Sequence, residues 1–556
     1  MPKLVAAAFA TALSVVALTV SPALADRPAA SSTTPTFSRA VDLRPSRGGA
    51  ARFPLGYLPL HAREYGLAKA RANMQAGLNA ARPVKPKPGG GGGPTIFNPP
   101  NVSPSFDGTY QSGATPPDTT GAIGPDRYIA AVNLRYAIYG RTGSLVNSGS
   151  LSSLTGIPGG LFGYSLSDPQ MMWDAKTGRF YYAAVYYDLF LSSNGIAVGW
   201  SKTSTPASSS DFCQYAIDFG GELPDYPKLG DSSDFLLFGY NLFGSSASTY
   251  DGSAFITLNK PPAGAGCPPT TAFSVQSSGV LHNADGSSAA TPVPANLVDD
   301  STGSGYVVAN ADLTDSTAHP FGADFVSVYR VTTSGADANG IPIASVSGPT
   351  SVAVPTYQMP SSAPEQGTPY LLDTLDGRFE AAVAAADPRQ QGKIGLWTAH
   401  AVFGGPGVEE RWYEIDPNAG SLFQSGTATS SSLFIWNGAI SPDRANNGTT
   451  AAFGDSMAMS VSTSSATTFP ALQFVWKNGA NAQSPLTSLV QATGPNVDSS
   501  CSDTSACRWG DYSGASPDPA ATGTVGTVWL TNQYNVASGT TSDTDWRTRV
   551  FGVRPG

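Results

Sequence analysis

Short apolar runs closed by Gly, Pro, Asp or Ser recur from about residue 117 to the end of the chain, the pattern of compact β-strands separated by tight turns. The clearest internal match is Trp173-Asp-Ala-Lys-Thr-Gly-Arg-Phe-Tyr-Tyr-Ala-Ala-Val against Leu372-Asp-Thr-Leu-Asp-Gly-Arg-Phe-Glu-Ala-Ala-Val. Each reads as a turn feeding a strand, the chemistry of a β-hairpin. Looser versions begin near Gly124, Gly230, Val298, Ser441 and Ser516, and each is followed by a further apolar strand. The units start near Pro117, Asp168, Asp225, Pro292, Thr368, Trp436 and Trp509, at spacings somewhat above the ~40–50 residues of compact propeller repeats. Seven sheet-sized repeats in one run predict an all-β fold, a single seven-bladed β-propeller over residues 95–556. A pair of β-sandwiches gives no reason for seven similar units.

The start of the chain follows other rules. Met1-Pro2-Lys3 is a short basic start, Leu4 to Val20 is apolar or small, and Pro22-Ala-Leu-Ala25 is a small-x-small cleavage pattern. Residues 1–25 therefore read as a signal peptide for bacterial Sec-type export, with secretion expected and an uncleaved anchor as the rival. Residues 26–94 read as a basic, largely disordered leader ending in a Pro/Gly linker. Within it, Ala62 to Leu78 has the composition of a short basic helix. Residues 1–94 hold 12 basic and 3 acidic side chains, a balance of +9, and residues 95–556 hold 19 and 37, a balance of −18. The leader thus reads as a tether, a propeptide or a contact with an anionic cell envelope, and the acidic body argues against nucleic acid. A monomer is expected.

The four cysteines all lie beyond the signal, an even number suited to an oxidising compartment. Cys501–Cys507 is the preferred short loop and Cys213–Cys267 a tie between neighbouring sheet edges. Zinc is disfavoured by the spacings and by the lack of a nearby His.

Repeat starts converge around the channel of a propeller, where ligands usually bind. Here those positions are Asp118, Asp168, Asp225 and Asp511, with Asp231 and Asp455 less regular. Two such carboxylates suffice as acid and base for glycoside cleavage. Alternatively, Asp168 and Asp511 suit a Ca²⁺ ion, or each Asp caps a turn. Tyr226, Trp436, Trp509 and Tyr512 flank these points as candidate sugar-stacking rings. Arg508 suits an acidic substituent or a neighbouring Asp, and His400 is the histidine most expected to be ordered. Gly454-Asp-Ser-Met457 lacks the downstream partner of a hydrolase motif, and neither a Gly-x-Ser-x-Gly elbow nor His-Glu-x-x-His is present.

Pro116-Pro-Asp-Thr-Thr-Gly-Ala-Ile-Gly-Pro125, Ser167-Asp-Pro-Gln170, Glu410-Arg-Trp-Tyr-Glu-Ile415 and Arg508-Trp-Gly-Asp-Tyr-Ser513 resemble recurring motifs of secreted bacterial sialidase-like (BNR-type) propeller proteins. The resemblance implies the propeller and export but no reaction, and the Asp boxes and arginine triad of true sialidases are not recognisable here. The expected function is action on extracellular glycans: a glycoside hydrolase using channel carboxylates, with no organic cofactor. The alternatives are a carbohydrate- or envelope-binding scaffold and a Ca²⁺-assisted polysaccharide lyase.

Overall fold

The computed structural model describes residues 35–44, 59–80, 98–159, 163–244, 247, 249–299, 303–445, 453–501, 506–536 and 546–556. The signal-peptide and glycine-linker readings lie outside these residues. The described chain forms seven sheets of at least four strands, the blades of one propeller, with a two-stranded ribbon (Ala363–Pro364 with Leu371–Leu372) against the sixth. The inner strands of blades 1 to 7 are Thr120–Ile123, Tyr164–Asp174, Leu223–Asp231, Ala289–Pro294, Phe379–Asp387, Phe434–Pro442 and Gly514–Pro517.

Burial along each strand follows its place in a blade. Middle strands pack against neighbouring blades on both faces, so all ten residues of Arg179–Asp188 are buried. The outer strand Leu145–Ser150 has no such cover and no fully buried residue. Seven apolar clusters lie between consecutive blades, from blades 1 and 2 round to blades 7 and 1. At the last junction Tyr128 stacks on Trp529 with centroids 5.3 Å apart. The ring is closed by hydrogen bonding between the two ends of the chain: blade 7 takes its outer strand, Asn101–Asp107, from the N-terminal side, antiparallel to Trp546–Arg554.

Both expected disulfides are present. Cys213, on the outermost propeller strand of blade 2, is bonded to Cys267 in a loop of blade 3, and Cys501 is bonded to Cys507. None of the described helices is long and apolar enough to cross a membrane.

Two outcomes differ from the sequence reading. The Trp173 and Leu372 segments are not equivalent: Gly178-Arg-Phe opens the second strand of blade 2, whereas Gly377-Arg-Phe opens the inner strand of blade 5. Turn-plus-strand chemistry is shared by every hairpin, so local likeness does not fix a strand's rank. The leader, in turn, is not wholly a tether. Thr36–Arg39 adds a fifth strand to blade 2, and the expected helix forms over Ala62–Ala80 and packs on the propeller.

Candidate functional site

The inner strands of blades 2 to 6 each carry one extra residue at the same level. The register slips between Ser167 and Gln170, Asp225 and Lys228, Ala290 and Val293, Phe379 and Ala382, and Trp436 and Ala439. Such bulges bend a strand and re-aim its side chains. Four of the five hold a non-glycine residue in the left-handed region: Asp168 (φ 53°), Tyr226 (54°), Thr291 (47°) and Asn437 (56°). Asp118 (50°) has the same conformation just ahead of blade 1. Asp and Asn tolerate it, whereas Tyr and Thr pay about 1–2 kcal/mol. The residue after each bulge position is Pro169, Pro227, Pro292 or Gly438; proline lacks an N–H, which suits a place where the ladder is broken.

This level is where the four predicted aspartates come together. The Asp511 amide donates to Asp118 Oδ1 at 2.7 Å. Asn133 joins the next pair, its Nδ2 donating to Asp118 Oδ2 at 2.7 Å and its Oδ1 accepting from the Asp168 amide at 2.8 Å. Arg508 donates to both Asp511 oxygens at 2.7 Å. Asp118 and Asp511 are buried, while Asp168 and Asp225 are only partly so.

Burial raises the pKa of Asp118 well above the usual carboxylate range, and repulsion from Asp511 and Asp168 adds to it against the pull of Arg508. Asp168 rises to about 7, through burial and then Asp225 and Asp511, with Lys228 and Arg508 opposing. Asp225 also rises to about 7 through burial, with Arg378 opposing and Asp511 reinforcing. Proton-holding carboxyls at neutral pH beside an arginine-paired Asp511 give the mixed protonation from which acid–base pairs are built.

Three cations hold the set together. Lys228 Nζ lies 3.4 Å from the centroid of the Tyr512 ring and 4.0 Å from that of Tyr226. It is buried and has no hydrogen-bond acceptor; burial lowers its pKa to about 7 against the pull of Glu380 and Asp168. Arg378 sits over the Tyr226 ring, its Cζ at 4.7 Å, and is paired to Asp376 at 2.6 Å. Below Lys228 the axis narrows to a cavity of about 50 Å³ lined by Gln170, Lys228, Asn296 and Glu380. Each of these four presents a buried polar atom without a hydrogen-bond partner. At ~10–15 Å³ per water the cavity suits a few waters and no sugar.

The predicted binding residues are placed differently. Tyr226, Trp436, Trp509, Tyr512 and His400 are each at most 2% exposed, so none offers a face to a sugar. They pack instead. Trp509 meets Trp436 edge-on at 5.7 Å and donates from Nε1 to Ser462 at 2.9 Å. The Tyr226 and Tyr512 hydroxyls donate to the Asp511 and Pro169 carbonyls at 3.0 and 2.9 Å. His400 stacks on Phe379 and hydrogen-bonds the Gly377 carbonyl and the Tyr413 hydroxyl, and burial lowers its pKa to about 3. Among the described residues no three acidic, His or Cys side chains are arranged to hold a metal ion. Of the carboxylates considered for calcium, Asp511 is engaged by Arg508. Asp231 pairs with Lys260 (2.6 Å), and Asp455 lies 4.0 Å from Arg389.

Lys228, Arg378, Asn133, Glu380 and Glu410 were not anticipated. Glu410 is fully buried with neither carboxylate oxygen hydrogen-bonded, and burial raises its pKa well above normal. The available signal was a lone charge inside an apolar strand, as in Phe379-Glu-Ala-Ala-Val and Pro227-Lys-Leu.

No protein-family model matches this sequence, and no curated protein does. Solved propeller structures resemble it remotely. The Dos1 propeller aligns with 11% identity over 82% of this chain and 95% of its own, at a TM-score of 0.32. Endo-1,5-alpha-L-arabinanase from Thermotoga petrophila RKU-1 aligns with 12% identity over 79% and 98%, at 0.26. Exo-beta-1,3-galactanase from Phanerochaete chrysosporium aligns with 10% identity over 81% and 99%, at 0.25. Similarity this remote assigns no activity.

Proposed function

We propose that the protein acts on extracellular glycans as a glycoside hydrolase, with its chemistry at the carboxylate mouth of the propeller. The observation that carries this reading is the convergence of Asp118, Asp168, Asp225 and Asp511 from blades 1, 2, 3 and 7, with Asp168 and Asp225 the two that keep partial exposure. A carboxyl that keeps its proton near neutrality can protonate a leaving oxygen, and an ionised partner can activate water or stabilise positive charge at the sugar carbon. Asp168 and Asp225 are the proposed proton donors. Asp511, held by Arg508, is the proposed anionic partner, and Lys228 and Arg378 limit the mutual repulsion.

The test is a panel of neutral and weakly acidic polysaccharides incubated with the secreted protein. New reducing ends are expected. They should fall by about 10²–10⁴-fold in Asp168→Asn or Asp225→Asn, with the melting temperature of each variant maintained. Activity should fall as pH rises through about 7, where these acids lose their protons. Unsaturated ends would replace hydrolysis by elimination, and retention of a polysaccharide without cleavage would replace it by binding.

A further inference from the structure

The leader runs along the rim of the same mouth, from blades 2–4 to the loop ahead of the inner strand of blade 5. Leu60, 4% exposed, inserts among Val185, Tyr187, Leu191, Leu223, Phe243 and Ala290. Leu223 and Ala290 lie on the inner strands of blades 3 and 4 just before their bulges, and the Tyr187 hydroxyl feels the charges of Asp168 and Asp225. His61 pairs with Asp312 at 3.2 Å and sets its ring edge-on to Tyr250. The helix then runs on to blade 5. Tyr65 donates to Asp373 at 2.7 Å, and Lys69 donates to Thr374 Oγ1 at 2.7 Å and the Pro360 carbonyl at 3.2 Å. Asn73 accepts from the Ser362 amide at 2.8 Å. The Asp373 amide in turn bonds the carbonyl of Cys507, the neighbour of Arg508.

The manner of attachment matters. Among the described helix side chains the only buried apolar ones are the small Ala72 and Ala76, and Leu67 and Met74 are 49% and 64% exposed. The helix is therefore held mainly by polar anchors, and a surface held that way opens more readily than an apolar core. The charge balance of +9 for residues 1–94 against −18 for the remainder favours this docking.

We propose that residues 60–76 form a built-in cap, which restricts access of extended chains to the carboxylate mouth while docked and uncovers it when the helix leaves. The cap regulates the site under Proposed function and rests on that reading of the mouth as the ligand site. The test reads access directly, so the two can fail separately. The full chain is labelled at its carboxyls with a carbodiimide and a small amine, beside Ala68→Pro, which breaks the helix, and beside the milder Tyr65→Phe/Lys69→Met pair. Amide exchange over residues 62–76 reports whether the helix has left. Labelling of Asp168 and Asp225 should rise about tenfold on release, with exposed Asp126 unchanged. Release with no rise at the two mouth carboxyls would overturn the cap. If Ala68→Pro disturbs the whole propeller, the double variant alone decides. A rise in labelling in a protein that cleaves no glycan supports the cap and removes the hydrolase reading.

Discussion

The inner strands of blades 2 and 3 carry carboxylates at both ends, and the two ends are built in opposite ways. Asp174 and Asp231 lie six residues beyond Asp168 and Asp225, roughly 20 Å along a strand. Lys260 sits between them, at 2.9 Å from Asp174 and 2.6 Å from Asp231, with every partner at most 5% exposed. Asp174 also accepts from the Lys176 amide and the Thr177 hydroxyl, and Asp231 from the Leu297 amide. Burial pushes both carboxyls up. Lys260 and the extra donors bring Asp174 below its ordinary value, while Asp231, with fewer donors, stays at about 6. At the mouth, Asp168 and Asp225 sit at or beside a left-handed residue, and Lys228 faces the Asp168 charge from between two rings without donating a hydrogen bond. One end is satisfied by a shared cation and backbone donors, and the other leaves carboxyls repelling beside strained backbone, the combination that marks a candidate functional site.

The largest expected effect falls on the satisfied end. Lys260→Met leaves two carboxylates buried without their cation and should cost about 3–5 kcal/mol in denaturant unfolding. A loss below ~1 kcal/mol would erase the distinction between the two ends.

Next come matched Asp→Asn changes at each end. The Asp174 pKa is lower in the folded state, so its contribution is present above the unfolded value near 4 and is lost as pH falls through the folded value. Asp174→Asn should therefore destabilise by about 1–2 kcal/mol at neutral pH. Asp168 goes the other way: its folded value is about 7, so the unfolded chain releases this proton first and stability declines as pH rises from about 4 to 7. Asp168→Asn should flatten that decline and leave the protein at least as stable at pH 8. Parallel pH–stability curves for the two variants would break the comparison.

Backbone strain gives a smaller test. Thr291 holds a left-handed conformation in blade 4 but carries no carboxylate to the mouth. Thr291→Asn should gain about 0.5–1 kcal/mol in unfolding free energy, because Asn tolerates that region better. The smallest effect belongs to His61, whose side chain is 32% exposed. Its pKa is raised mainly by the hydrogen bond to Asp312, against burial, with Asp315 and Glu64 adding to the pull. The contact is complete below about 6.5 and is lost as pH rises through the raised value. His61→Gln should weaken helix docking by less than ~1 kcal/mol, seen as faster amide exchange over residues 62–76 at pH 6 and little change at pH 8.

Much of this was readable from local pattern. Strand-and-turn chemistry placed repeat starts near Asp168, Asp225 and Trp436, and the structure puts inner strands there. The same logic marked Asp118 and Asp511, because a residue opening a repeat must face the axis once the ring closes. Tyr226 and Trp509 were read as platforms because an aromatic beside a carboxylate looks alike whether it faces a sugar or a neighbouring blade. Only packing separates those cases, and here both rings are buried.

Local pattern alone carried the all-β architecture, the number of blades, the short Cys501–Cys507 loop and the helix within the leader. Each follows from residues close in the chain: turn formers beside apolar runs, paired thiols and a helix-favouring composition. Tertiary structure alone decided that Asn101–Asp107 completes blade 7, that Lys228 lies between Tyr226 and Tyr512, and that Lys69 reaches Thr374 across 305 residues of chain. It also decided which carboxylates are satisfied. Asp168 and Asp174 look equivalent in the strand they share, and they differ because Lys260 comes to one from blade 3 while Asp225 and Asp511 come to the other from blades 3 and 7. A carboxyl's pKa is set by the charges and donors around it in space, and the chain's order does not carry that information.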